Sequence, residues 1–148
     1  MGDPMGIHVE GLAPLIQVFD MPRSVAFYRD VLGFEVVATS PRRGHDDFDW
    51  GLLRLEGVEL MLNTAYEEAD RPPQPDASRV AAHADTGLFF GCRDVDAAYA
   101  YLREKGVSVQ PPANAPYGMR QLYLRDPDGY VVCLQWRVAQ EVATNAGA

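Results

Sequence analysis

No apolar run in the chain approaches the length of a membrane span, and its start, Met1-Gly2-Asp3-Pro4, carries neither a basic region nor an apolar signal core. A cytoplasmic location is the expectation. Cysteine is nearly absent: Cys92 and Cys133 are too few for a disulfide framework, and each sits in an apolar stretch where it reads as a small buried hydrophobe. Positive charge is scarce. With Lys+Arg 13 against Asp+Glu 21 the formal net charge is -8, and no basic stripe interleaves with aromatics, which argues against nucleic acid as a partner. Histidine is limited to His8, His45 and His83. No Ser-His-Asp ordering, paired-cysteine motif or glycine-rich phosphate loop is present. What is left, 148 residues of which 47% are hydrophobic, suffices for one sizeable core or two small ones sharing a seam.

The content that is there is stated twice. Leu15-Ile16-Gln17-Val18 followed by Asp20 opens one copy, and Leu88-Phe89-Phe90-Gly91-Cys92 followed by Asp94 opens another, 74 positions on. Each aspartate precedes a helical pattern: Val25, Phe27, Tyr28, Val31 and Leu32 before a stop at Gly33, then Val95, Ala98, Tyr99 and Leu102 before a stop at Gly106. Closing strands follow at Val58 to Asn63 and Tyr130 to Gln135, entered through Gly57 and Gly129. A period this long fits a duplicated half-domain better than a solenoid unit. The resulting division is a tail (1–11), a first module (12–63), a Pro- and acid-rich linker of extended character (64–86), a second module (87–137) and a second tail (138–148).

The stretch Phe27-Tyr28-Arg29-Asp30-Val31-Leu32-Gly33-Phe34-Glu35-Val36-Val37, the duplication, and the terminal Leu124-Arg125-Asp126-Pro127-Asp128-Gly129-Tyr130 resemble the vicinal oxygen chelate superfamily. That group includes glyoxalases, bleomycin-resistance and fosfomycin-resistance proteins and extradiol dioxygenases. The resemblance, over about residues 12 to 137, implies an α+β fold of two paired βαβββ modules, a curved mixed eight-stranded sheet around a cavity, and a homodimer. It does not choose an activity, because one fold hosts many chemistries.

Alternation along the strands separates two faces. Ile16, Val18, Leu60, Leu62, Leu88, Phe90, Cys92, Val132, Leu134 and Trp136 form an apolar set suited to pack on the helices. The opposite set, Ala13, Leu15, Gln17, Glu59, Met61, Asn63, Gly87, Phe89, Val131, Cys133 and Gln135, mixes small, apolar and uncharged polar groups, as a ligand pocket does. Trp50, Phe48, Tyr117, Met119, Gln121 and Tyr123 add aromatic, soft and amide groups on or beside it, although the repeat leaves the register of Trp50 and Tyr123 open. Tyr117-Gly118-Met119-Arg120-Gln121 is also similar to the aromatic-Gly-x-Arg stretch of bleomycin-resistance-like members.

In metal-dependent members the resemblance places ligands seven residues before each helix-capping acid and on each closing strand. Those places hold Ala13, Gly87, Met61 and Cys133, a set without a histidine or carboxylate for a hard divalent ion. No metal or other cofactor is therefore expected. The leading expectation is a metal-free protein that binds a small organic molecule. The alternatives are a metal-dependent lyase, isomerase or dioxygenase using a displaced set such as Glu59 and His83, and metal-free acid–base chemistry with Glu59 as an inward carboxylate.

Overall fold

The computed structural model describes residues 6–139. Contacts divide the chain into two compact units, Met1–Pro73 and Gln74–Ala148. The boundary falls inside the segment read as a linker.

The first unit runs β1 (Leu15–Val18), α1 (Met21–Val25), β2 (Glu35–Thr39), β3 (Trp50–Leu55) and β4 (Val58–Thr64), with sheet order β1-β4-β3-β2. Asp20 caps α1 by accepting from the Arg23 amide, and Pro22 sits in the first turn, where its missing N–H is no loss. Helical spacing predicts one α-helix as far as Leu32, but Ala26–Val31 is wound as a π-helix, with the Leu32 amide donating to the Phe27 carbonyl. These wider turns seat the fully buried Tyr28 ring edge-on to both Phe27 and Phe34. Gly33 ends the helix at φ +96°, a conformation that costs glycine nothing.

The second unit repeats the plan. It contains β5 (Gly87–Gly91), α3 (Val95–Glu104), β6 (Ala113–Asn114), β7 (Met119–Arg125) and β8 (Val131–Arg137), in order β5-β8-β7-β6. Asp94 caps α3 through the Ala97 amide at 2.9 Å. In each unit the first strand pairs parallel with the last, and the other pairings are antiparallel. The α+β class and the βαβββ order are those expected, with the eight strands divided between two hydrogen-bonded sheets of four.

The linker reading needs correction. Within 64–86 lie the end of β4, a short 3-10 turn at Glu68–Asp70, the helix α2 (Ala77–Ala82) and a second 3-10 turn at His83–Asp85. Asp76 caps α2 by accepting from the Ser78 amide, and Ala77, Ala81 and Ala82 favour helix, so proline at Pro72, Pro73 and Pro75 governs only the residues before it. His83 is correspondingly no solvated loop residue. Its ring stacks on Tyr130 (centroids 4.0 Å apart), and Nδ1–H donates to the Asp128 carbonyl at 2.7 Å.

The Asp126-Pro127-Asp128-Gly129-Tyr130 signature explains that docking. Buried Asp126 accepts through Oδ1 from the amides of Asp128 and Tyr130, closing a tight turn in which Gly129 adopts φ +87°. A Cβ on Gly129 would lie 2.6 Å from the Val80 carbonyl oxygen, so the turn is the seat on which α2 rests.

Candidate functional site

Strand register assigns the two faces of each sheet. In the first unit Trp50 pairs with Asn63, Leu52 with Met61 and Arg54 with Glu59, while Leu15 and Gln17 pair with Met61 and Asn63. Directly opposed residues share a face, so Gln17, Trp50, Glu59, Met61 and Asn63 lie together, and the open register of Trp50 is resolved. The other face holds Ile16, Val18, Leu53, Leu60 and Leu62, all buried. Phe48, expected beside the cavity, belongs to the core instead: it is fully buried, and its ring fills the space above Gly51, which pairs with Leu62.

Within this first face the polar groups are committed to one another. Asn63 Nδ2 donates to Gln17 Oε1 at 3.3 Å. Glu59 accepts from Arg54 Nε and Nη2 at 3.0 and 2.6 Å, a cross-strand ion pair that faces water in part. A carboxylate so paired and partly open to water lacks the dry surroundings that a buried general acid or base needs.

In the second unit Tyr123 pairs with Cys133, Gln121 with Gln135, and Phe89 with Cys133. Phe89, Met119, Gln121, Tyr123, Cys133 and Gln135 therefore share one face, and Tyr117 joins them from the preceding turn. Gln121 is the hub. Nearly buried, its Nε2 donates to the Tyr117 hydroxyl and to Gln135 Oε1, both at 2.8 Å, and its Oε1 accepts from the Tyr123 hydroxyl at 3.3 Å. Every hydrogen-bonding group of that amide is used. Outward capacity remains on Gln135 Nε2 and on the Tyr117 O–H, both donors. Above the network Phe89 meets Tyr123 edge to face, with centroids 6.2 Å apart, and the rings of Phe89, Tyr117 and Tyr123 are about half exposed.

The site is electrically neutral. Burial pushes the Tyr123 phenol above its ordinary value, and the adjoining Cys133 and Tyr117 push it the same way. Burial also raises the Cys133 thiol, against a smaller opposing effect of its contact with Tyr123. Cys133 was expected to line the pocket, yet its side chain is sealed beneath these groups with no exposed surface. The Arg120 of the aromatic-Gly-x-Arg stretch turns to the other face, where it grips Asp96 bidentately at 2.8 and 2.9 Å.

The four family metal positions do not fit a metal ion. Ala13 offers no ligand atom, Met61 offers a soft thioether, and Cys133 is a buried thiol that holds its proton. At Gly87 the space is already taken: an added Cβ would lie 2.7 Å from a Phe89 ring carbon. A histidine there would have to displace the aromatic wall. Among the described residues no group of three or more His, Cys, Asp and Glu is placed to hold an ion. His45 is 90% exposed beside Asp46, and His83 is committed to the turn.

Gln121 and Gln135 were each expected at the cavity, but their pairing across the hairpin was not. Which one is the buried hub appears only with the register. The fold recurs in other proteins. Solved structures similar to this one include TnmS3, an antibiotic binding protein from Streptomyces sp. CB03234, at 27% identity and a TM-score of 0.64, covering 89% of this chain and 99% of that one. A glyoxalase/bleomycin resistance protein, also from Streptomyces sp. CB03234, aligns at 29% identity and a TM-score of 0.57 over 84% of this chain and 100% of its own. The protein YaeR of Escherichia coli (strain K12) is 30% identical over 112 residues, 74% of this chain and 82% of YaeR. With residues 8–134 matching the family as a whole, the duplicated βαβββ plan has a plain ancestry: the chain belongs to the Glyoxalase/Bleomycin resistance protein/Dioxygenase superfamily.

Proposed function

We propose that this chain is a metal-free binding protein that holds a neutral, partly aromatic organic molecule against the Phe89–Tyr123–Gln135 face. The observation that carries this reading is the uncharged network centred on Gln121, capped by half-exposed rings, at the place where metal-dependent relatives need ligands. TnmS3, described as antibiotic binding, supports the class of ligand without naming it for this chain. Covering the exposed halves of three rings removes roughly 300 Å² of apolar surface, worth about 7 kcal/mol at 25 cal/mol per Å². Association itself costs about 4–15 kcal/mol, so ring burial alone gives weak binding and the two outward donors must supply the rest. The preferred ligand therefore carries a hydrogen-bond acceptor beside a planar apolar body. We also propose that the protein is cytoplasmic and dimeric, which fractionation and light scattering would check.

The test is a screen of planar aromatic compounds by thermal shift on protein purified without chelator, with metal content measured on the same sample. Binding that weakens about tenfold in Gln135→Ala is the expected result, with the unliganded melting temperature lowered by the lost acceptor for Gln121 but a cooperative transition retained. Near-stoichiometric metal would sink the metal-free reading and return a metal-dependent lyase, isomerase or dioxygenase with displaced ligands. Unchanged affinity in Gln135→Ala and Tyr117→Phe would sink the site.

A further inference from the structure

Around Trp136, which faces away from Gln135 on β8, and Arg137 at the end of that strand lies a second constellation, of different chemistry. Arg29, Arg43, Arg54 and Arg120 are each tied to carboxylates. Arg93 and Arg137 are not: among the described residues neither meets a carboxylate, and both guanidinium groups instead lie over the Trp136 ring, 4.6 and 4.7 Å from its centroid. The indole face offsets part of the repulsion between two like charges gathered on one ring. Among the described residues it leaves their side-chain hydrogen-bond donors without a protein acceptor.

The surroundings are shaped accordingly. A hollow of about 280 Å³ is walled by Arg93, Asp96, Asn114, Arg120, Trp136 and Arg137. Its acidic members are already committed. Asp96 is clamped by Arg120, whose guanidinium holds that carboxyl below the usual range, and Asp94 caps the first turn of α3. A second hollow, of about 650 Å³, shares Trp136 and Arg137 and continues along Tyr117, Met119 and Val138, a mostly apolar wall. Positive charge thus stands at one end and apolar surface at the other, with one indole between them.

We propose that Arg93, Trp136 and Arg137 form a second binding site, for an organic oxyanion: a carboxylate or phosphate joined to an apolar body. The oxyanion takes the paired guanidinium donors, whose planar forks match carboxylate and phosphate geometry. The apolar body lies along Trp136 towards Val138, where Tyr117 and Met119 form a wall shared with the edge of the neutral site. On a chain of net charge -8, such a site selects anions locally against an unfavourable overall field.

Calorimetric titration of the full chain in low-salt buffer with benzoate, benzamide, phenyl phosphate and inorganic phosphate tests this. Saturable binding of benzoate or phenyl phosphate is expected, with benzamide at least tenfold weaker than benzoate. Arg93→Gln and Arg137→Gln should each weaken the anion about tenfold. Both arginines are exposed, so a retained melting temperature separates lost binding from lost fold. Equal binding of benzoate and benzamide, no saturation at millimolar concentrations by either organic anion, or full affinity in both arginine variants overturns the proposal. Inorganic phosphate binding as tightly as phenyl phosphate overturns the apolar part of it. The Gln135→Ala variant should keep this anion binding, so failure of the neutral site and failure of this one are read separately.

Discussion

Replacing Gly129 by alanine should be among the most damaging single-methyl additions the second unit can receive. The residue sits at φ +87°, and a left-handed conformation costs a residue with a Cβ about 1–2 kcal/mol. The new methyl would also stand 2.6 Å from the Val80 carbonyl oxygen and 2.9 Å from Val80 Cγ1. The first obstacle is backbone, so α2 must move, and overpacking of this kind adds about 1–3 kcal/mol. Two controls isolate the contributions. Gly106, at φ +82° with nothing within 4 Å of an added Cβ, carries the conformational cost alone. Gly57, also without neighbours there and without positive φ, should change by no more than about 0.5 kcal/mol. Urea unfolding should rank the losses as Gly129→Ala (about 2–5 kcal/mol), Gly106→Ala (about 1–2) and Gly57→Ala. Hydrogen exchange should show amides of 77–85 opening in the first variant only. If Gly129→Ala costs no more than Gly106→Ala, α2 does not rest on the Asp126–Tyr130 turn and the account of the signature motif is wrong.

Asp46 is held below the ordinary carboxylate range, first by hydrogen bonds from Arg29. A depressed folded value means the pair stabilises above the unfolded value, near pH 4, and that the contribution is lost as pH falls through the folded one. The stability curve of Asp46→Asn should therefore be flatter than wild type below about pH 4, and a parallel curve would contradict the pairing. Cys133 has its thiol raised by burial, so its stabilising neutrality is present below about pH 8.5 and lost as pH rises beyond it. In native protein a thiol reagent should modify the half-buried Cys92 first and reach Cys133 only on unfolding; equal rates would refute the sealed position. Glu59→Gln should alter stability by less than about 1 kcal/mol, since its pair with Arg54 is solvent-exposed on both sides. Should a substrate be found, unchanged turnover in that variant is expected, and a collapsed pH–rate profile would reinstate Glu59 as a base.

Local chemistry was enough to read the plan of each module. Asp20 and Asp94 as caps, Gly33 and Gly106 as left-handed stops, and alternation in β4 and β8 all act within a few residues of themselves, so spacing in the chain exposes them. The repeat then ordered the elements without any knowledge of contacts. Packing against partners distant in sequence was invisible. The π-helical turns around Tyr28 answer to Phe34 and the core rather than to helix propensity, and α2 was masked by the prolines before it. Phe48 and Cys133 looked like pocket residues because composition does not say which side of a sheet a bordering ring takes or how deeply a thiol is covered. Register settled Trp50 and Tyr123. The amide hub at Gln121 and the Arg93 guanidinium on Trp136 were decided by tertiary structure alone, because each joins residues from different strands or loops at distances that only folding creates.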